Sequence, residues 1–121
     1  MKISIDENQP IFKQIADIIE DQIINDMYRT DEQILSTTQL TKMLQINPAT
    51  VVKGINLLVK QGILYKKSGI GMFVSSGAKE NILKRRRQDF YRKYVETLLE
   101  EAKKIHLTEE DILNMIKRKE G

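Results

Sequence analysis

The sequence contains no cysteine, and His106 is its only histidine. Without cysteine the chain can form no disulfide, no cysteine-ligated metal site and no thiolate nucleophile. A transition-metal site would need carboxylates alone around His106, so we expect no metal and no cofactor. No set of nucleophile, base and orienting group can be assembled, and no phosphate-binding glycine loop is followed by Lys-Ser/Thr. We therefore expect that the protein is not an enzyme.

Long apolar runs are also missing. No stretch approaches the roughly 18 apolar residues of a membrane span, and the N-terminus lacks the basic and apolar regions of a signal peptide. We expect a cytoplasmic protein with no membrane partner. The 121 residues fit one domain, or one domain with an appendage. With 20 basic and 17 acidic residues the net charge is +3, which permits a nucleic-acid partner without requiring one.

The segment from Asn47 to Gly62 predicts a short helix with two different faces. Asn47 is a favoured N-cap, Pro48 fits the first helical position, and Gly62 is typical of the residue that follows a helix. One face is aliphatic and carries Val51, Val52, Ile55, Leu58 and Val59. The other face is small, polar and mildly basic and carries Ala49, Thr50, Lys53, Asn56 and Lys60. Such a face is typical of a helix that reads the DNA major groove, although an ordinary surface helix has the same periodicity.

Two helices are predicted before this one. Ile3 and Ile5 alternate with polar residues, which leaves a short strand or an extended arm open, and Pro10 then begins a helix whose apolar spacing continues to about residue 27. The segment 28–35 has little periodicity and predicts a loop.

Ser36 and Gln39 fit a capping box that begins a second, short helix, which a tight turn joins to the Asn47 helix in a helix-turn-helix arrangement. Ser36, Thr37 and Thr38 could hold a DNA phosphate at this helix start, but Ser36 could also act only as a cap.

A β-hairpin is predicted after Gly62. Strand-forming residues at 63–67 and 72–75 flank a turn at 68–71. A hairpin directly after a helix-turn-helix is a wing, and its tip carries two lysines and two glycines. These residues would bring positive charge and closely approaching backbone to DNA, although any hairpin needs turn glycines.

Together these segments resemble the N-terminal winged helix-turn-helix of the GntR superfamily of bacterial transcription regulators. The resemblance spans residues 10–74 and rests on the segments 10–15, 34–36, 50–51, 62–64 and 69–74. Within it, 46–51 resembles the YtrA subfamily, whose members have short tails. The resemblance implies a sequence-specific DNA-binding transcription regulator that is a repressor and, by association, controls a transporter operon.

This chain departs from the family pattern at several positions. Many relatives carry an arginine where it has Thr38, and many outside the YtrA group carry another where it has Pro48; both commonly touch DNA. A bidentate contact between arginine and guanine is therefore not available at either position. The usual Pro-Gly before the second helix is replaced by Thr30-Asp31, which we expect to change the loop and not the fold.

We assign the DNA contacts to three groups of residues. Thr50 and Lys53 face the major groove, the hydroxyls at 36–38 hold phosphates, and Gly69 and Gly71 let the wing approach the minor groove. The full set of predicted DNA-binding residues is Ser36, Thr37, Thr38, Asn47, Ala49, Thr50, Lys53, Lys67, Ser68, Gly69 and Gly71.

The tail after the wing is predicted to be a helical hairpin. A small, polar linker at 75–79 precedes a long helix from Glu80 to about Ile105, and Thr108 caps a final helix with Ile112, Leu113 and either Met115 or Ile116 inward. The tail is too small for a pocketed effector domain, and we interpret it as a dimerisation device. The predicted dimerisation residues are Phe90, Tyr91, Tyr94, Val95, Leu98, Leu99 and Ala102.

The predicted fold class is mainly α with a small β-hairpin: a winged helix-turn-helix DNA-binding domain at 1–75 and a helical dimerisation tail at 76–121. Because one reading helix covers only a few base pairs, we expect a homodimer on an inverted-repeat DNA operator. The basic run at 84–87 could reach flanking phosphates or only keep the tail soluble. The rival interpretation is a winged-helix module that binds protein and not DNA. The sequence identifies no small-molecule effector.

Overall fold

The computed structural model describes residues 5–118, so Ile3 lies outside the described part. Three helices come first: α1 (Ile11–Ile24), α2 (Thr37–Leu44) and α3 (Pro48–Lys60). The antiparallel strands β1 (Leu64–Lys67) and β2 (Gly71–Val74) follow. The tail consists of α4 (Ala78–Phe90), a π-helical turn (Tyr91–Val95), α5 (Glu96–Lys104) and α6 (Glu109–Arg118). The predicted fold class, a mainly α winged helix-turn-helix with a small hairpin, is confirmed.

The first of two compact units extends to Leu83 and has its own hydrophobic core. The apolar faces of α1, α2 and α3 pack together, and the hairpin and the start of α4 close this core. The largest of its fully buried apolar side chains are Ile15, Ile19, Leu40, Val51, Leu58, Ile63, Leu64, Val74 and Ile82. Ala78 belongs to the same core, so α4 begins two residues earlier than predicted and the segment 75–77 is a tight turn, with Gly77 at φ +75°.

The division between the compact units falls inside α4, between Leu83 and Lys84, whereas we predicted a functional boundary at residue 75. The assignment of DNA binding to 1–75 and dimerisation to 76–121 stays a prediction. A chain that ended at the predicted boundary would lose Ile82, which has no exposed surface, from the core of the first unit.

The predicted helix ends of the helix-turn-helix are confirmed. The Gln39 N–H donates to Ser36 Oγ at 3.1 Å, and the Ser36 N–H donates to Gln39 Oε1 at 2.9 Å. At the start of α3, the Ala49 N–H donates to Asn47 Oδ1 at 2.8 Å, and Pro48 occupies the first turn. After α3, Gly62 adopts φ +75°, which allows its N–H and that of the next residue to satisfy the last carbonyls of the helix.

The end of α1 differs from the prediction. The helix ends at Ile24 and not at about residue 27, because Asp26 adopts φ +61° and the Met27 N–H donates to Gln22 O at 2.8 Å. This is the same backbone arrangement that ends α3, with an aspartate where glycine is usual. Met27 has helical spacing in the sequence but lies exposed beyond the helix.

The predicted loop at 28–35 contains an additional strand-like segment. Residues 31–34 lie along β2, where the Asp31 N–H donates to Val74 O, the Val74 N–H to Glu32 O and the Ile34 N–H to Met72 O. Asp31, which stands where the family pattern has the glycine of Pro-Gly, adopts φ +66°, a conformation that glycine adopts readily. Alternating sequence periodicity is absent here because only Ile34 of this segment is buried.

The second unit, from Lys84 on, contains the π turn, α5 and α6. We predicted one regular helix here, but the Glu96 N–H donates to Tyr91 O five residues back, which inserts one extra residue into the helical ladder. His106 adopts φ +61° and ends α5, and Thr108 and Asp111 form a capping box at the start of α6. Hydrogen bonds from the Thr108 N–H and hydroxyl lower the pKa of Asp111.

The first unit depends on a close contact between α1 and α3 at Gly54. A Cβ atom at this position would lie 2.8 Å from Phe12 O and 3.0 Å from Ile15 Cγ2. The first of these atoms belongs to the backbone of α1, so the crowding cannot be relieved by a side-chain rotation. Glycine in a helix interior normally costs about 1 kcal/mol relative to alanine, and here it is required by the packing.

We expect Gly54→Ala to lower the free energy of unfolding by about 1–2 kcal/mol, because the crowding against α1 exceeds the gain in helix propensity. Asn56→Ala is the matched control, since it makes alanine at an exposed position of the same helix and should leave stability unchanged or slightly higher. Urea denaturation measures both. A Gly54→Ala chain as stable as the control would contradict the close contact.

Candidate nucleic-acid interface

The start of α2, the outer side of α3 and the wing surround one groove on the first unit. Its lining contains the hydroxyls of Ser36 and Thr37, the lysines of β1 and the turn of the hairpin; the residues are Leu35, Ser36, Thr37, Val52, Ile55, Asn56, Lys66, Lys67, Gly69, Ile70, Gly71 and Met72. The groove therefore brings together five of the predicted DNA-binding residues from two separate parts of the sequence, the start of α2 and the wing. The predicted contacts at 47–53 are not among its lining residues.

The start of α2 has the geometry of an anion site. Helix geometry leaves the Thr37 and Thr38 N–H groups without an intrahelical acceptor, and the positive end of the helix dipole lies there. Ser36 Oγ accepts the Gln39 N–H, so this hydroxyl acts as a cap and still has its own proton to donate. Thr38 is exposed beside it.

On α3, the predicted contacts differ in how freely they can reach a base. Ala49 is exposed, whereas Thr50 is only half-exposed. Asn47 uses its side-chain oxygen to cap the helix, which leaves the amide NH₂ as a donor. The Lys53 ammonium lies over the ring of Phe12, 4.2 Å from its centroid, and does not extend straight into solvent.

A cation–π contact at an exposed site contributes about 0.5–1 kcal/mol. A hydrogen bond to a charged group contributes about 1.5–3 kcal/mol. Lys53 can therefore leave Phe12 for a DNA acceptor at low cost, but the ring sets its resting position.

Our prediction from the sequence was wrong for one residue of α3. We placed Val52 on the buried face, but it is 41% exposed and lines the groove, because the core contacts of α3 are made by Val51, Gly54, Ile55 and Leu58. Asn56 is also exposed in the groove and was not among the predicted contacts. Helical spacing alone could not separate Val52 from Val51, since both are valine and adjacent.

The turn of the wing is bonded to a side chain of the 31–34 segment. Gln33 Nε2 donates to Ile70 O in the hairpin turn at 2.9 Å. Gly71 adopts φ +152°, and a Cβ atom there would lie 2.5 Å from Gln33 Nε2, so a larger residue would displace the Gln33 amide from its place beside the turn. Gly69, at φ +76°, and Ser68 are exposed at the tip, and no atom lies within 4 Å of a Cβ built at Gly69.

The lysines of the wing lie at the end of β1 next to the turn, where Lys67 pairs with Gly71. Lys67 Nζ lies 4.4 Å from the centroid of the Phe73 ring, which in turn stacks on Tyr65. The Tyr65 hydroxyl donates to Asp31 Oδ1 at 2.7 Å, and this hydrogen bond to a carboxylate raises the pKa of Tyr65 above its usual value. Lys66, which the predicted site omitted, is exposed and lines the groove.

Many apolar side chains of the tail are exposed. Of the predicted dimerisation residues, Phe90, Tyr91, Tyr94 and Leu98 are exposed, Val95 and Leu99 are half-buried, and Ala102 is buried. Of the α6 residues predicted to point inward, only Ile112 does so; Leu113, Met115 and Ile116 are exposed. In the basic run, Lys84 and Arg87 are exposed and the two arginines between them are half-buried.

Within residues 5–118, no group of three His, Cys, Asp or Glu side chains lies close enough to hold a metal ion, and His106 is exposed. No helix in this part of the chain is both long enough and apolar enough to cross a membrane.

The chain is similar to known transcription regulators. No protein-family model matches it. A putative transcriptional regulator of the GntR family from Bacteroides thetaiotaomicron is 30% identical, with a TM-score of 0.77 over 89% of this chain and 94% of that chain. YtrA from Sulfolobus acidocaldarius, a GntR-family transcription factor, is 33% identical, with a TM-score of 0.59 over 75% of this chain and 93% of that chain. The HTH-type transcriptional repressor NagR from Bacillus subtilis is 31% identical over 69% of this chain, which spans 34% of the length of NagR.

Gly69 offers a clean test of the wing. Gly69→Asp is expected to weaken duplex binding at least about tenfold at low salt, because it places a carboxylate next to phosphates. Gly69→Asn is the matched control: it has nearly the same shape and tolerates positive φ equally well, and it carries no charge. Fluorescence anisotropy with a labelled duplex measures both. Equal affinities for the two variants would exclude contact between this wing tip and DNA.

Proposed function

The chain belongs to the GntR family of transcriptional regulators, and from this we propose that it is a repressor that acts as a homodimer on an inverted-repeat operator. Like the other members of this family, the protein binds DNA and regulates transcription. The proposal rests on the groove between α2, α3 and the wing. Hydroxyls, lysines and backbone N–H groups line this groove beside the exposed side of α3.

The DNA contacts are proposed as follows. The exposed side of α3, with Ala49 and Lys53, lies in the major groove, and the wing tip at 68–71 approaches the minor groove. The start of α2 and the lysines of β1 hold the phosphates of the intervening backbone. The predicted set of DNA-binding residues is thereby kept, with Val52, Asn56 and Lys66 added because they line the same groove.

The dimer is proposed to form through the tail. Phe90 and Tyr94, whose ring centroids are 5.2 Å apart, are about 60% exposed, with relative exposures of 58% and 63%. Together with Tyr91, Leu98 and the exposed apolar residues of α6, they form a surface that a second copy of the chain would remove from water. A two-fold dimer then repeats the reading helix, so the operator is an inverted repeat with half-sites about one helical turn, or a multiple, apart.

Repression is proposed because the relative NagR is named as a repressor. A dimer that occupies its operator can block transcription by its presence alone. The control of a transporter operon stays a prediction from the resemblance to the YtrA subfamily.

The test is selection of bound duplexes from a random pool, followed by a salt titration of the selected duplex. We expect an inverted repeat whose binding constant falls steeply and linearly with salt on logarithmic axes, because lysines release counterions from phosphate. A folded chain that enriches no duplex would overturn the proposal in favour of a protein-binding module.

For the dimer, we expect Tyr94→Glu or Leu98→Glu to convert the full-length chain to monomer at micromolar concentration, because the carboxylate would be buried unpaired between two copies. Thr97→Glu is the matched control, since Thr97 is an exposed polar residue of the same helix. Sedimentation velocity reports the oligomeric state, and anisotropy compares paired with single half-sites. If the wild-type chain sediments as a monomer, or if both glutamate variants remain dimeric, the tail is not the dimer interface.

A further inference from the structure

We propose that Val52 reads the 5-methyl group of thymine in the operator half-site and is thus a specificity-determining residue. The inference rests on the proposed function, and it names the base chemistry that the groove recognises. Val52 is 41% exposed, on the side of α3 that lines the groove between that helix and the wing.

Folding does not explain a valine at this position. The core side of α3 is occupied by Val51, Ile55 and Leu58, all of which are essentially buried. A β-branched residue on the exposed side of a helix loses side-chain freedom and has a lower helix propensity than alanine. Val52 therefore offers the isolated chain little stability, and its two methyl groups remain available for a ligand.

The other side chains on this part of α3 favour the same chemistry. Ala49 lies three residues before Val52, so the two are neighbours on the helix surface, and both are exposed and apolar. The helix contains no arginine, and the ammonium of its Lys53 rests over Phe12. This surface thus lacks the fork of donors that reads guanine and presents methyl groups instead.

The surroundings of Val52 identify DNA as the occupant. Lys66, Lys67, Ser36 and Thr37 line the same groove, so positive charge and hydroxyl donors surround the apolar surface. A polyanion satisfies these groups, and the thymine methyl is the one apolar group that a base edge presents in the major groove. An apolar protein segment would leave the lysines without acceptors.

The experiment is a scan of the selected duplex in which each thymine is replaced, one at a time, by deoxyuridine, which lacks only the methyl group. The wild-type chain is expected to lose about fourfold in affinity at one or two positions of each half-site, the value for burying one methyl group. Val52→Ala should bind the thymine duplex more weakly and show no difference between thymine and deoxyuridine at those positions.

Val52→Ile is the matched control, because it keeps both branches at Cβ and should keep the deoxyuridine effect. Urea denaturation of Val52→Ala should give a stability equal to or above that of the wild type, which separates recognition from folding. Tight binding with a flat deoxyuridine scan, or a deoxyuridine effect that persists in Val52→Ala, overturns the inference and leaves the proposed function intact. A chain that binds no duplex at all overturns both.

Discussion

The contact of α1 with α3 at Gly54 is the constraint on which the rest of the first unit depends. Because a Cβ atom there would meet the backbone of α1, the two helices lie closer than side chains normally permit. This contact, together with Val51, Ile55 and Leu58, turns one side of α3 inward. The opposite side, from Ala49 to Lys60, is consequently left for a partner, and Lys53 comes within reach of Phe12 on α1.

The wing depends on a second constraint, the pairing of residues 31–34 with β2. A two-stranded hairpin is at best marginally stable in water by itself. Here the additional backbone hydrogen bonds widen the sheet, and Gln33 connects it to the carbonyl of Ile70 in the turn. The turn is therefore bonded to a segment that immediately precedes α2, so two parts of the proposed DNA site, the wing tip and the start of α2, are held together.

Two lysines of the proposed site, Lys53 and Lys67, rest on aromatic rings. Such contacts are weak at exposed positions, and they hold a cation near the surface without consuming its hydrogen-bonding capacity. The ammonium groups of the site are thus free to shift, whereas the backbone that carries them is packed in place. A regulator needs such mobile charges to bind phosphates on any sequence, and it selects among sequences through a few side chains of α3.

The order of helices and strands and the helix ends of the helix-turn-helix could be predicted from local sequence, because caps such as Ser36 and Asn47 act through contacts within four residues. The sequence also indicated the family, since the motif residues of the wing and α3 are local.

Packing between distant segments determines which of two adjacent valines faces the core and whether a loop without periodicity joins a sheet. It also determines where α4 enters the first unit and why Gly54 is a glycine. Each of these depends on atoms that are distant in the sequence and adjacent in space, for which periodicity within one segment carries no signal.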